Sequence, residues 1–320
     1  PWSTSGPGDL WLSPYPSEFH QTTYIANETE RFIRSQRGES PWLTFCSFVA
    51  PHHPFEAPAA QIARYDGMEL PLPEDKGGVQ GESIPPRIAR AIGETDAYGP
   101  EVQRRIVLHY LASISLVDDA VGRLVNALRD TGQLEETLIL FVADHGEFLG
   151  NHGLLRKPSL HYDETLRVPM ILRGAGLRPG LIGGLVELVD VYPTVLGLVG
   201  IEPNAGLQGL SWAGPLRSGD DVGREDVYSD MYDMAPLVCG QTHGAYGAVQ
   251  TLRTQRWKLN LYPKDGRQYG QLFDLQEDPK ESRNLYADST LASVREELLW
   301  RLAARCHHQV DPLPLRLTQY

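Results

Sequence analysis

The chain predicts an α/β fold, with a mainly parallel sheet flanked by helices and a smaller C-terminal lobe built on an antiparallel sheet. Three observations predict it. Short apolar runs at 42–50, 137–144 and 168–172 have the length and content of buried strands. Helical patterns at 23–36, 101–130 and 191–199 alternate with those runs, which implies βαβ units and therefore parallel pairing. Beyond about residue 220 the pattern changes to period-two alternation around an Asp-Gly turn, the signature of hairpins. The expected division is 1–222 for the α/β domain and 223–320 for the C-terminal lobe.

The elements follow in order. In TYIANETERFIRSQ, Tyr24, Ile25, Phe32 and Ile33 can share one helical face. The run from Trp42 to Ala50 is mostly apolar and is broken at once by Pro51, so it reads as a buried strand. Residues 66–100 are rich in Pro, Gly and acidic groups and read as a long surface excursion. The clearest helix comes next. Its apolar positions Ile106, Tyr110, Ile114, Val117, Val121, Leu124 and Leu128 step by three or four, and Gly132 ends it as a C-terminal cap. Asp190 is placed to cap a short helix over 191–199 that Gly200 closes. Later, Trp257, Leu259 and Leu261 alternate with Lys258, Asn260 and Tyr262 ahead of Asp265-Gly266. That predicts a hairpin of 256–262 with 268–275, one face wet, and Trp257 and Leu259 turned to a helix or the main domain. Leu291, Val294, Leu298 and Leu302 then form the stripe of a terminal helix.

Composition narrows the function. With 41% hydrophobic and 22% charged residues in 320, the chain is an ordinary globular protein. A formal net charge of −12 argues against a general nucleic-acid binder, which needs clustered Lys and Arg. No stretch has the apolar length of a membrane-spanning helix. Three scattered cysteines, Cys46, Cys239 and Cys306, imply no disulfide framework, and Cys46 reads as a buried, inert thiol. The chain begins at Pro1 and shows no signal peptide, so its composition gives no compartment.

Chemistry gathers at two strand ends, where ligands of open parallel sheets bind. Asp144-His145-Gly146 follows one apolar run, and Pro51-His52-His53-Pro54 follows another. A carboxylate beside an imidazole can ligate a divalent cation. Gly146 and Gly150 allow sharp backbone turns, and Asn151, His152 and Lys157 come soon after. A lysine near a metal-bound oxyanion neutralises charge as it develops. Taken singly, each residue also has a structural reading: a strand-end Asp is often a turn residue, and a His after Pro is often a satisfied loop residue. Asp118-Asp119 looks like a carboxylate pair, but neighbouring helical positions diverge by about 100 degrees, so both belong to a solvated face. Glu147 and Glu164 read as structural.

Order decides among these readings. The stretch Ala143-Asp144-His145-Gly146, Gly150-Asn151-His152-Gly153, Lys157 and Arg167-Val168-Pro169 resembles the later signature of the sulfatase family, with Ala143 in place of the usual Ser or Thr. The run ending Pro51-His52-His53-Pro54 resembles the strand and Pro-His-x-Pro of that family. Ser115 to Asp119, Val189 to Thr194, Phe273-Asp274-Leu275 with Asp278-Pro279, and Glu281 to Leu285 match as well, in family order over nearly the whole chain.

The resemblance implies an alkaline phosphatase-like fold and hydrolysis of a small-molecule or saccharide sulfate ester. It implies Ca2+ (or Mg2+) held by Asp144 and His145, His52 as acid or base, Lys157 as sulfate ligand, and His152 in the substrate pocket. The family nucleophile is a formylglycine, made by a formylglycine-generating enzyme from the Cys or Ser of a Cys-x-Pro/Ala-x-Arg segment. None of the three cysteines here has that context, nor is the early Asp-Asp metal pair present. The expectation is a C-terminal part whose front is missing. Phosphonate monoester or phosphodiester hydrolysis, and a non-catalytic sulfatase-like binding protein, are the alternatives.

Overall fold

The computed structural model describes residues 10–36, 38, 40–73, 84–85, 98–174, 176–204, 206–231 and 248–308. The chain packs as two compact units. Pro1–Glu74, Gly93–Ile139 and Leu149–Arg156 form the first; Asp75–Ile92, Leu140–Phe148 and Lys157–Tyr320 form the second. Most of the expected 66–100 excursion, and Cys239, lie outside the described residues. No described helix is long and apolar enough to cross a membrane.

The first unit holds β1 (Leu10–Leu12), α1 (Gln21–Ser35), β2 (Phe55–Ala57) and α2 (Gly99–Asp130). Helix α1 starts where His20 Nδ1 accepts the Thr22 N–H at 3.1 Å, satisfying one of the orphan donors of the first turn. It buries Thr22, Ala26, Thr29 and Ile33, not the face of Tyr24, which is exposed. Small residues in that stripe let a neighbouring element pack close, and Ile33 joins Ala127, Leu128 and Leu134. Helix α2 is also rotated from its expected stripe. Ile106, His109, Ser113, Leu116 and Ala120 are buried, while Ile114 is exposed. The polar members of that stripe are satisfied by β2: His109 Nδ1 donates to the Phe55 carbonyl at 3.1 Å, and Ser113 Oγ donates to the Glu56 carbonyl. Strand β2 pairs in parallel with β1, Leu10 opposite Phe55. Gly132, at φ 71°, closes α2 as expected.

One strand expectation fails here. Trp42 to Ala50 has no ladder partner among the described residues, and Leu43 and Phe45 are 84% and 87% exposed. Its opposite side is half-buried. Trp42 packs on the Ile33 cluster, and Thr29 Oγ1 donates to Cys46 Sγ at 3.2 Å. Without a neighbouring strand, apolar alternation alone cannot make a buried strand.

Strand β3 (Ile139–Val142), which lies in the second unit from Leu140 on, pairs with β4 (Met170–Arg173). Helix α3 (Val191–Val199) ends on Gly200 at φ 77°. Asp190 does not cap α3 with its side chain. It is fully buried and accepts from the backbone of Glu187 and Leu210, from Trp212 Nε1 at 3.0 Å and from Arg224. The largest described sheet is antiparallel, in the order β5 (Asp226–Met231), β6 (Val249–Thr254), β7 (Trp257–Leu261) and β8 (Gly270–Asp274). An extended parallel sheet is not confirmed among the described residues, where β1 and β2 pair in parallel.

The two faces of the antiparallel sheet differ. Tyr228, Leu252, Leu259 and Leu272 meet Leu298 and Leu302 of α4 (Ala292–His308), with Trp257 and Val294 at the edge. This is the expected hairpin packing. The other face is not wet. Lys258, Asn260 and Gln271 are each 0% exposed. Alternation shows that two faces differ in polarity; it does not show which of them meets water.

Leu259→Ala removes a fully buried side chain from the α4 face and is expected to cost about 2–5 kcal/mol in urea unfolding. Leu43→Ala is expected to change stability by less than about 0.5 kcal/mol.

Candidate active site

Asp144 and His145 leave the end of β3, and backbone contacts fix their loop. Gly146 N donates to the Thr165 carbonyl at 2.9 Å. A Cβ at 146 would stand 1.9 Å from the Glu164 carbonyl oxygen, so glycine is required by close approach and not by a left-handed φ. His145 Nδ1 donates to the Gly146 carbonyl at 2.8 Å, which puts the lone pair of the neutral ring on Nε2. That nitrogen lies 3.7 Å from Asp144 Oδ2, and the Asp144 side chain is 87% exposed.

Asp144, His145 and Lys157 line one cavity of about 1200 Å³ within the second unit, together with His161, Asp163 and Arg253. Burial lowers the Lys157 pKa, and the nearby charges of Glu147 and Asp144 oppose that shift. The structure brings these three expected residues together. His52 and His152 belong to the first unit. His52 is exposed, stacks on His53 at 4.1 Å between centroids, and donates from Nδ1 to the His53 carbonyl. His152 is buried at φ 55° in a tight turn, after Gly150 at φ 103°. A Cβ at 150 would meet the Pro73 ring at 2.7 Å. Asp118 and Asp119 are exposed, and Asp119 pairs with Arg64 at 2.8 Å, which is the solvated face expected of them.

Behind the cavity is a buried polar network that the sequence reading missed. His161 Nδ1 and Thr251 Oγ1 are 2.8 Å apart, and Thr251 Oγ1 donates to Asn260 Oδ1 at 2.7 Å. Asn260 Nδ2 donates to the His161 carbonyl and to Gln271 Oε1, both at 3.0 Å. Beside it, Lys258 Nζ sits 3.0 Å from Asp163 Oδ1 and 2.7 Å from Glu281 Oε1. Asp163 N donates to Glu281 Oε2 at 2.7 Å, and Arg253 reaches Asp163 at 3.3 Å. The two acids respond differently. Burial opposes ionisation of Asp163, but Lys258 and Arg253 outweigh it and hold the pKa low. Glu281 is more deeply sealed, so burial dominates and its pKa is raised despite Lys258. The available sequence signal was the Glu281 of the family match, which places a buried partner opposite a lysine first read as solvated.

The donor set fits a divalent cation in part. Two donors 3.7 Å apart can occupy neighbouring positions on one ion, and a carboxylate with an imidazole suits a cation that takes mixed oxygen and nitrogen ligands. Among the described residues no group of three or more His, Cys, Asp or Glu is placed to hold a metal, so the remaining donors of a six-coordinate ion are not supplied there.

The strand-end Asp-His pair and the lysine lie on a chain that its sequence-model match and its relatives put in the alkaline phosphatase superfamily. The chain belongs to the sulfatase family, whose sequence model matches residues 4–201; that of the N-sulphoglucosamine sulphohydrolase C-terminal region matches residues 150–308. An arylsulfatase of Clostridium perfringens is 28% identical, over 86% of this chain and 56% of that protein. A choline-sulfatase of Rhizobium meliloti is 30% identical, over 88% of this chain and 54% of that protein. A phosphonate monoester hydrolase from Silicibacter pomeroyi has a TM-score of 0.78 at 26% identity, covering 93% of this chain and 62% of that one. The chain spans about half the length of the curated relatives it matches.

Two outcomes follow. Gly146→Ala is expected to destabilise by about 1–3 kcal/mol, because backbone must move to admit the methyl group; thermal melting reads this. The second concerns pH. Burial, with Lys258 nearby, lowers the His161 pKa from 6.5 to about 3. Between those values the unfolded chain binds the proton and the native one does not. The stabilisation is therefore complete above 6.5 and is lost as pH falls toward 3, at up to about 1.4 kcal/mol per pH unit. His161→Gln is expected to flatten that part of the profile in urea melts taken at stepwise lower pH.

Proposed function

We propose that this chain is the C-terminal part of a sulfuric ester hydrolase. The single observation that carries this is the cavity shared by Asp144, His145 and Lys157, in a chain of the sulfatase family. Asp144 and His145 would hold Ca2+ (or Mg2+), which when bound neutralises sulfate oxygens. Lys157 would bind a sulfate oxygen and stabilise the leaving oxygen, and its lowered pKa reflects the burial that strengthens such a contact. His52 would give or take the proton at the leaving-group oxygen. His152 would belong to the substrate pocket. The nucleophile, a formylglycine installed by a formylglycine-generating enzyme, would come from outside these residues, since no cysteine here has the Cys-x-Pro/Ala-x-Arg context.

A second reading, phosphonate monoester hydrolysis, is favoured by the likeness to the Silicibacter pomeroyi enzyme, and the same charges would serve it. A binding protein of sulfatase descent has no need of the cation.

The test expresses this chain and an upstream-extended form together with a formylglycine-generating enzyme, and assays both on an aryl sulfate and an aryl phosphonate. Activity is expected in the extended form on the sulfate, with bound metal, and Lys157→Ala is expected to lower its kcat by about 100-fold or more. Comparable activity in both forms would overturn the missing nucleophile. Turnover of the phosphonate alone would replace sulfatase by the second reading.

A further inference from the structure

We infer that His161 Nε2 is a specificity-determining hydrogen-bond acceptor, which takes a hydroxyl or amide N–H from the alcohol portion of the ester and so selects hydroxylated, saccharide-type substrates. The ester class rests on the reading proposed above. The acceptor rests on the network itself.

The network leaves one tautomer. Asn260 Nδ2 spends its hydrogens on the His161 carbonyl and Gln271 Oε1, so its Oδ1 is an acceptor. Thr251 has one hydroxyl hydrogen and gives it to that oxygen. Thr251 Oγ1 can then only accept from the ring, so His161 Nδ1 carries the proton and Nε2 carries the lone pair. Burial and the Lys258 charge keep the ring neutral, so Nε2 does not become a donor in the physiological range.

Nε2 itself has no hydrogen-bonding partner among the described residues. His161 is only 5% exposed, yet Nε2 is not one of the sealed, unsatisfied polar atoms among the described residues. His161 lines the cavity that holds Lys157, Asp144 and His145. A purely structural histidine would use or bury both nitrogens. This one is clamped through Nδ1 and its own carbonyl, which leaves Nε2 as the ring's acceptor in a residue of the cavity wall. A substrate lacking an O–H or N–H there, such as a simple aryl ester or a quaternary ammonium alcohol, would strip water from the lone pair and return nothing. That asymmetry is worth roughly 10–100-fold in selection.

The test uses the protein as encoded by its gene and a matched pair of probes, glucose 6-sulfate and cyclohexylmethyl sulfate. They share a six-membered ring with a sulfated CH2 arm and differ in the hydroxyl groups and in a ring oxygen, which has no hydrogen to donate. In the first arm, histidine nitrogens are followed by long-range proton–nitrogen correlation, with His161 assigned from His161→Gln. The unliganded spectrum is expected to show protonated Nδ1 and bare Nε2. Glucose 6-sulfate is expected to move the Nε2 resonance, and cyclohexylmethyl sulfate is not. A protonated Nε2, or an Nε2 that both probes move alike or neither moves, overturns the inference.

In the second arm, the ratio of kcat/KM for glucose 6-sulfate over cyclohexylmethyl sulfate is expected to fall about 10–100-fold in His161→Leu. Part of it is expected back in His161→Gln, whose side-chain oxygen can accept. An unchanged ratio in His161→Leu overturns the inference. If that variant does not fold, the first arm decides on the unaltered protein. If neither sulfate is turned over but glucose 6-sulfate still moves Nε2, the ester-class reading fails and the acceptor stands.

Discussion

Lys258 carries its ammonium group into a fully sealed part of the second unit, where Asp163 and Glu281 meet it at 3.0 and 2.7 Å. Removing such a charge from water costs several kcal/mol, and only close, hydrogen-bonded partners offset it. The partners come from different places: Asp163 follows the segment of Lys157 and His161, Lys258 lies on β7, and Glu281 follows β8. The ammonium can be buried only when all three segments are in register. The cavity wall built by Lys157, His161 and Asp163 therefore depends on strands about a hundred residues later in the chain.

The same logic explains why the antiparallel sheet has two dry faces. Its apolar face meets α4 through Leu252, Leu259, Leu272, Leu298 and Leu302. Its polar face is a ladder of Thr251, Asn260 and Gln271, each bonded to the next or to the 161–162 segment. Burying amides and hydroxyls without partners would be costly; fully paired, they orient one another and fix a tautomer. Asp190 does comparable work nearby, gathering Trp212, Leu210 and Arg224 around one sealed carboxylate.

The candidate site was legible in the sequence where its residues are close together. Asp144, His145 and Lys157 lie within fourteen positions, ordered as in the sulfatase family, and they share a cavity. His161 and Asp163 were just as near in sequence but carried no recognisable spacing. Their importance comes from Thr251, Asn260, Lys258 and Glu281, each about ninety or more residues away. The strand expectation at Trp42 to Ala50 erred for a related reason. Apolar content measures a tendency to be covered, and covering needs a neighbour that the run cannot specify.

The sequence by itself determined the helices, the hairpin, the glycine-dependent turns and the family, because these depend on local periodicity, φ preference and the order of short motifs. Only the tertiary structure decided which face of each element meets water, what role Asp190 has, and that Lys258 is a buried counter-charge and not a solvated one. Local patterns record which side chains differ from their neighbours. Burial, charge compensation and tautomer depend on groups brought together from distant parts of the chain, and those meet only in the fold.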